Sequence, residues 1–188
     1  DNSIEATLVD YLKKDHYKLF PKNSSRSGIV HRLDKMTEGL MIITKTEKSY
    51  HFLIDQFKNR WIKKKYYLMA KGNIANNLLT INQPIDRDFK KRTQFTVAQT
   101  GKNAITHVEV LKRFNSKTLC DVEIETGRTH QIRVHMKFIG HPILGDNVYS
   151  TSSRDKGQLL QAYFLQFKHP KTLKRMIFNL PLSKRILL

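Results

Sequence analysis

The stretch "AITHVEVLKRFNSKTLCDVEIETGRTHQIRVHMKFIG", Ala104 to Gly140, holds two strand-like runs followed by one helix-like run. In "AITHVEVLKRF" and "TLCDVEIE", β-branched residues alternate with polar ones, the period of a strand with one buried face. Asn115, Ser116 and Lys117 split the two runs with turn-forming chemistry. In "RTHQIRVHMKFIG" the period changes. Ile132, Met136 and Ile139 fall on one helical face, Thr129 is placed to cap the start, and Gly140 is placed to end it.

Strand patterns continue on both sides of this stretch. "KYYLMAKG" and "TQFTVAQT" precede it, while "AYFLQFKH" and "KRMIFNL" follow it around the turn-like "PKT". Nearer the start, "GLMIIT" reads as a short buried strand, and the next segment presents Tyr50, Leu53, Ile54 and Phe57 on one helical face. Thr44 and Glu47 offer that helix a capping box. Ile4, Leu8, Tyr11 and Leu12 also follow helical spacing, which Pro21 closes. Long strand runs broken by few helices predict an α+β domain with a mixed, mainly antiparallel central sheet and flanking helices. At 188 residues, a single domain over 1–188 is expected.

The charge balance narrows the partner. Thirty-four Lys and Arg against sixteen Asp and Glu give +18, a field that attracts polyanions, nucleic acid first among them. Cys120 is the single cysteine, so no internal disulfide forms and a cysteine metal site is excluded. That suits a reducing cytoplasm. No apolar run approaches the roughly 18 residues of a membrane span, so no membrane partner is expected.

Several common chemistries do not fit. There is no GxGxxG, and "GHPILGD" has P-loop glycine spacing without the lysine that follows it in a P-loop. His130 and His135 lie about 140° apart around a helix at 3.6 residues per turn, and Arg128, Arg133 and Lys137 between and around them repel a cation. No nucleophile elbow marks a serine hydrolase.

What remains is "HRLDKMTEG" (His31–Gly39), "KKYYLMAKG" (Lys64–Gly72) and "ETGRTHQIRVHMKFIGHPILGD" (Glu125–Asp146). In the first, one carboxylate, Asp34, sits between Arg32 and Lys35. Such an acid is either a structural ion pair or a carboxylate kept for chemistry. Together the three stretches resemble the RluA-type family of RNA pseudouridine synthases, with its HRLDxxTSG, YxxxxxG and GRxHQIRxH…GHPxxGD patterns. The resemblance implies isomerisation of uridine to pseudouridine in ribosomal or transfer RNA, by a monomer with no cofactor and no metal. It implies Asp34 as the catalytic aspartate, Tyr66 as the aromatic residue of the site, and Arg128 as the basic partner of Asp34. His31, Arg32, Thr37, Gln131 and Arg133 are implied to contact the substrate, with Arg32 filling the stack that the target base leaves.

Physical chemistry agrees with that implication. Transfer at C1′ builds positive charge on the sugar, which a carboxylate stabilises or attacks. Either role needs the carboxylate form, and neighbouring cations favour it. A base inside folded RNA must be flipped out, so an aromatic face and a charged wedge belong at the site. Lys63–Lys65 reads as a solvated or RNA-facing charge run.

Three departures stand against the family pattern. Glu38 replaces a serine behind Asp34, Gln161 replaces a histidine before the last strands and puts the C-terminal part of the pocket in question, and the upstream Lys-and-Gly strand has no counterpart. The last, with the absence of an initiator methionine, leads us to expect a longer natural chain. The alternative to an enzyme is a basic RNA-binding protein that keeps the fold and has lost turnover. A metal-dependent nuclease is disfavoured by the few acids in the motifs.

Overall fold

The computed structural model describes residues 8–14, 19–21, 26–150 and 157–187. Its elements are, in order, α1 (Leu8–Lys14), β1 (Glu38–Gly39), α2 (Glu47–Lys58), β2 (Lys63–Lys71), β3 (Leu78–Asn82), β4 (Ile85–Arg87), β5 (Phe95–Val97), β6 (Ile105–Arg113), β7 (Lys117–Ile124), α3 (Gln131–Phe138), β8 (Leu160–Lys168), β9 (Arg175–Asn179) and α4 (Lys184–Leu187). The main sheet runs β1-β8-β2-β7-β6-β3, with β9 against β8, and β4 and β5 form a separate two-stranded ribbon. The β1–β8 pair is parallel, while β2–β8, β2–β7, β6–β7 and β3–β6 are antiparallel. The fold is therefore α+β, with the mixed, mainly antiparallel sheet that the periodicity predicts.

Chain contacts divide the protein into two compact units. The larger comprises Leu33–Leu40, Lys63–Gln166 and the residues from Ile177 onward. Its alternation assigns one sheet face to a core of Tyr66, Leu68 and Ala70 from β2 and Cys120, Val122 and Ile124 from β7, closed by Ile132 and Met136 of α3. Leu68, Met136 and Ile143 are fully buried, each contributing about 1.5–3 kcal/mol through the apolar surface it removes from water. The opposite face gathers Met69, Leu119, Leu159 and Ile186 of α4, with Tyr67 packed against them. The smaller unit holds α2. Thr46, not Thr44, is its N-cap, and Ser49 rather than Glu47 completes the capping box. Ser49 sits at the third helical position, where its hydroxyl reaches back to the Thr46 N–H.

Local differences from the sequence pattern have physical causes. "GLMIIT" contributes only Gly39 to β1 and Ile43 to an isolated bridge with Ile29, pairing with β8 ending at the Leu40 N–H bond to the Ala162 carbonyl. "TQFTVAQT" is strand only at Phe95–Val97. β3 and β4 escape the pattern because they are short and interrupted by Asn82, Gln83 and Pro84. Ile4 lies outside the described residues.

Glu38 and Gln161, the two departures in the motifs, are register partners across β1 and β8. Gln161 sits on the Tyr67 side of the sheet, since Tyr67 pairs with Gln161 and Tyr66 with Ala162. Its amide donates to the Pro181 carbonyl at 3.0 Å and its oxygen accepts the Ser183 N–H at 2.9 Å. It therefore braces the approach to α4 and does not line the Tyr66 face, contrary to its expected place in the pocket.

Gly39 has φ 126°, and a Cβ there would collide with the Ala162 backbone. Gly39→Ala should lower unfolding free energy by about 2 kcal/mol or more in urea titration, since both the left-handed backbone and the clash penalise it.

Candidate active site

Asp34 opens a turn in which the Thr37 N–H donates to the Asp34 carbonyl at 2.8 Å. Leu33, just before it, packs against the main core. Thr37 Oγ1 accepts from the amide of buried Gln158 at 2.9 Å, and Arg185 donates to the carbonyls of Met36, Gly157 and Gln158. The carboxylate-bearing turn is thus fastened on one side by the core and on the other by the C-terminal segment.

The guanidinium that meets Asp34 is that of Arg133. Its Nη1 donates to Asp34 Oδ2 at 2.9 Å, while Nε and Nη2 donate to the two oxygens of Asp146 at 2.7 and 2.9 Å. Asp146 is fully buried and also accepts the backbone N–H groups of Val148 and Tyr149. Asp34 retains 18% side-chain exposure against 7% for Arg133. One carboxylate is an internal anchor and the other faces outward. Burial alone would pull the Arg133 pKa down, but hydrogen bonds and charge from Asp146, then from Asp34, raise it. Burial pushes Asp146 upward, and Arg133 with the two backbone donors outweighs it, leaving the carboxyl below its ordinary value.

Arg128, which the motif would set beside Asp34, is elsewhere. Its Nε donates to the Asn103 carbonyl at 2.9 Å and its backbone N–H to Gln131 Oε1 at 3.0 Å. The reason is the helix start. α3 begins at Gln131, after His130 as N-cap in left-handed conformation at φ 54° with no side-chain cap, so Thr129 does not cap it and Arg128 precedes the helix altogether. Arg133, the third residue of α3, is the arginine that reaches Asp34 and Asp146.

Gln131 does not fit a substrate contact either. Its oxygen accepts from Thr126 Oγ1 and Arg128 N–H, and its nitrogen donates to Ile105 O and Thr106 Oγ1. All its capacity is spent inside the protein. Arg133, likewise, is bound to two carboxylates rather than presented to substrate. His31 accepts the Ile42 N–H at 2.8 Å through Nε2 and stacks on Phe57 within the smaller unit. Arg32 is exposed.

Tyr66 lies on the α3 face of β2, and burial first, then the Asp34 charge, raises its phenol pKa. Tyr67 points to the other face, stacked on Tyr163 at 3.7 Å between centroids. Lys64 shares the Tyr66 side by alternation, and a Cβ at Gly127 would sit 3.5 Å from its ammonium. Burial lowers its pKa to about 8. The lysine run is thus divided: Lys64 turns inward, while Lys65 pairs with Asp121 at 3.3 Å on the far face. Buried His135 bridges Thr106 Oγ1 and the Gln83 carbonyl, and burial depresses its pKa. Among the described residues no group of His, Cys, Asp and Glu is arranged to hold a metal ion.

The family model described as RNA pseudouridylate synthase matches residues 9–138. The chain belongs to the RNA pseudouridylate synthase family. It is 45% identical over 184 residues to an uncharacterized RNA pseudouridine synthase, YlyB, of Bacillus subtilis, covering 96% of this chain and 61% of that protein. It is 40% identical to ribosomal large subunit pseudouridine synthase D of Blochmanniella floridana, covering 91% of this chain and 59% of that protein. The chain thus spans about three fifths of the length of these curated relatives. Human RNA pseudouridylate synthase domain containing 1 shares the fold, with a TM-score of 0.80 at 24% identity over 93% of this chain and 74% of that one.

Asp146 and Lys64 are the residues that motif reading passed over. The signal for Asp146 was its place at the end of "GHPILGD"; Lys64 had only the parity it shares with Tyr66. Arg133→Met should destabilise the protein by about 3–5 kcal/mol at neutral pH, because it strands buried Asp146. The Asp146 contribution in the wild type is present above the ordinary carboxylate value of 3.8 and is lost as pH falls below it toward the lowered folded value. The deficit of the variant should therefore narrow on acidification, as urea midpoints at several pH values would reveal.

Proposed function

We propose that this chain carries the catalytic machinery of an RNA pseudouridine synthase acting on ribosomal or transfer RNA in the cytoplasm. The observation that supports it most is the outward-facing Asp34 carboxylate, held by buried Arg133 on the same side as Tyr66, in a chain of net charge +18. In the reaction, the bond from C1′ to N1 breaks, the uracil turns, and C5 bonds to C1′. The hydrogen leaves C5 and N1 takes up a proton. Asp34 either attacks C1′ or stabilises the charge that grows there, and Arg133 holds it oriented for both. Tyr66 supplies the apolar aromatic face for the flipped base. Arg32, exposed beside this turn in sequence, suits the vacated stack.

A protein that binds RNA without turnover is the less supported alternative. Both departures in the motifs fall on the β1–β8 pair, and neither removes Asp34, Arg133 or Tyr66. Cys120 is buried, and burial raises its pKa to about 12, so the thiol is unsuited to chemistry here.

Asp34→Asn separates the two. It should abolish release of tritium from C5 of labelled uridine in RNA while RNA affinity holds or rises slightly, because one negative charge leaves a phosphate-binding surface. Substantial turnover by the folded variant would overturn the role of Asp34. RNA affinity of the wild type should also fall about a hundredfold between roughly 50 and 200 mM salt if about five phosphates are neutralised on single-stranded RNA. Binding indifferent to salt, in a filter or anisotropy titration, would point away from a polyanionic substrate.

A further inference from the structure

Tyr149 lies just beyond the last family motif, and none of the roles above uses it. It is 5% exposed and packs with Ile85, Ala104 and Val134, with Phe95 and Val97 of β5 against the same cluster. Three parts of the larger unit meet on this one side chain. Its hydroxyl accepts the Phe95 N–H at 2.9 Å, which ties it to the β4–β5 ribbon. The same hydroxyl meets His130 Nδ1 at 2.8 Å, at the start of α3. The hydroxyl thus bridges the Phe95 N–H and the His130 ring. The ring face lies 5.0 Å from the guanidinium carbon of Arg133, the group that holds Asp34. The Tyr149 N–H completes the link by donating to Asp146 Oδ1, the other acid on Arg133.

The far end of the ribbon is equally specific. Phe89 is 86% exposed, and Arg87, Lys90, Lys91 and Arg92 around it are exposed too. An aromatic ring among cations at a ribbon tip is suited to a stacked base and neighbouring phosphates of RNA. Phe95 anchors this tip at its root, with the Arg87 guanidinium 5.4 Å from the Phe95 ring centroid.

We propose that Tyr149 is a positioning residue that couples the cationic β4–β5 ribbon to the catalytic carboxylate. Its hydroxyl holds the ribbon in place for RNA, and its ring holds the Arg133 guanidinium so that Nη1 meets Asp34. The two functions reside on different atoms and are separable. A guanidinium over an aromatic face is attracted by the ring quadrupole, whereas the ribbon tie is one ordinary hydrogen bond from the Phe95 N–H. The inference rests on the proposed synthase activity for its kinetic meaning, and on geometry alone for the Arg133 contact.

The test compares Tyr149→Phe, which keeps the ring, with Tyr149→Leu, which removes it. Steady-state tritium release is measured on uridine-labelled ribosomal RNA from cells lacking the gene, and exchange of the Arg133 Nε proton is followed by NMR, with folding checked by circular dichroism. Tyr149→Phe should raise KM about tenfold, the equivalent of one net hydrogen bond, with kcat nearly unchanged. Tyr149→Leu should raise KM similarly and lower kcat on the order of a hundredfold, as misplacement of a reacting group does. Exchange at Arg133 should accelerate in Tyr149→Leu and not in Tyr149→Phe. Equal loss of kcat in both variants would overturn the division of labour. A lowered melting temperature with wild-type KM, kcat and Arg133 exchange would reduce Tyr149 to a packing residue and overturn the proposal. If the wild type itself releases no tritium, the synthase activity falls, and Arg133 exchange still decides whether Tyr149 positions that side chain.

Discussion

One guanidinium shared between two carboxylates sets the terms for the rest of the larger unit. Arg133 reaches Asp146 with two of its nitrogens and Asp34 with a third. A buried charge is tolerable only when paired and hydrogen-bonded, so α3, the loop carrying Asp146 and the turn carrying Asp34 must all converge on this side chain. Asp146 receives four hydrogen bonds and serves the pair as a fixed base. Asp34, less enclosed, is what that base presents. Losing Arg133 would strand one acid in the interior and release the other from its geometry.

The sheet supplies the second constraint. Side chains alternate across it, so neighbours in sequence are separated by the thickness of a layer. Tyr66 joins the α3 face while Tyr67 stacks on Tyr163 behind it. Lys64 and Lys65 divide in the same way: one is desolvated near Gly127, and the other is neutralised by Asp121. The far face even places Glu109 directly opposite Asp121, with Lys65 and the Tyr163 hydroxyl supplying the compensating contacts at Asp121. The net charge of +18 is therefore not spread evenly. Arg87, Lys90, Lys91 and Arg92 are exposed at the β4–β5 ribbon beside Asp86 and Asp88, while Glu109, Asp121 and Glu123 lie on the Tyr67 face of the sheet.

How much of this was legible in the sequence depends on the range of the interaction. Strand alternation and helical period are local, and they placed β2, β6, β7, β8 and α3 within a residue or two. Helix starts were less secure. Thr44 and Thr46 both have capping chemistry, and the competition was settled by where Ser49 fell; at α3 a left-handed His130 displaced Thr129 without any side-chain cap. Arg128, which the motif resemblance paired with Asp34, precedes that start and donates to the Asn103 carbonyl, while Arg133 inside α3 is the arginine that reaches Asp34. Gln131 illustrates the same limit, since nothing local says that its amide will be consumed by Thr126, Ile105 and Thr106.

Periodicity indicated the α+β fold class and composition the polyanion-attracting charge, while the family resemblance carried by HRLDKMTEG, KKYYLMAKG and ETGRTHQIRVHMKFIGHPILGD singled out Asp34 and Tyr66. None of these needs to know which distant segments meet. The tertiary structure decided which arginine holds Asp34, that Asp146 is its second anchor, that Gln131 and Gln161 are braces, and that Tyr149 joins the ribbon to the ion pair. Each of those depends on atoms brought together from distant segments, where burial makes an unpaired charge or amide too costly to leave and only the folded chain selects the partner.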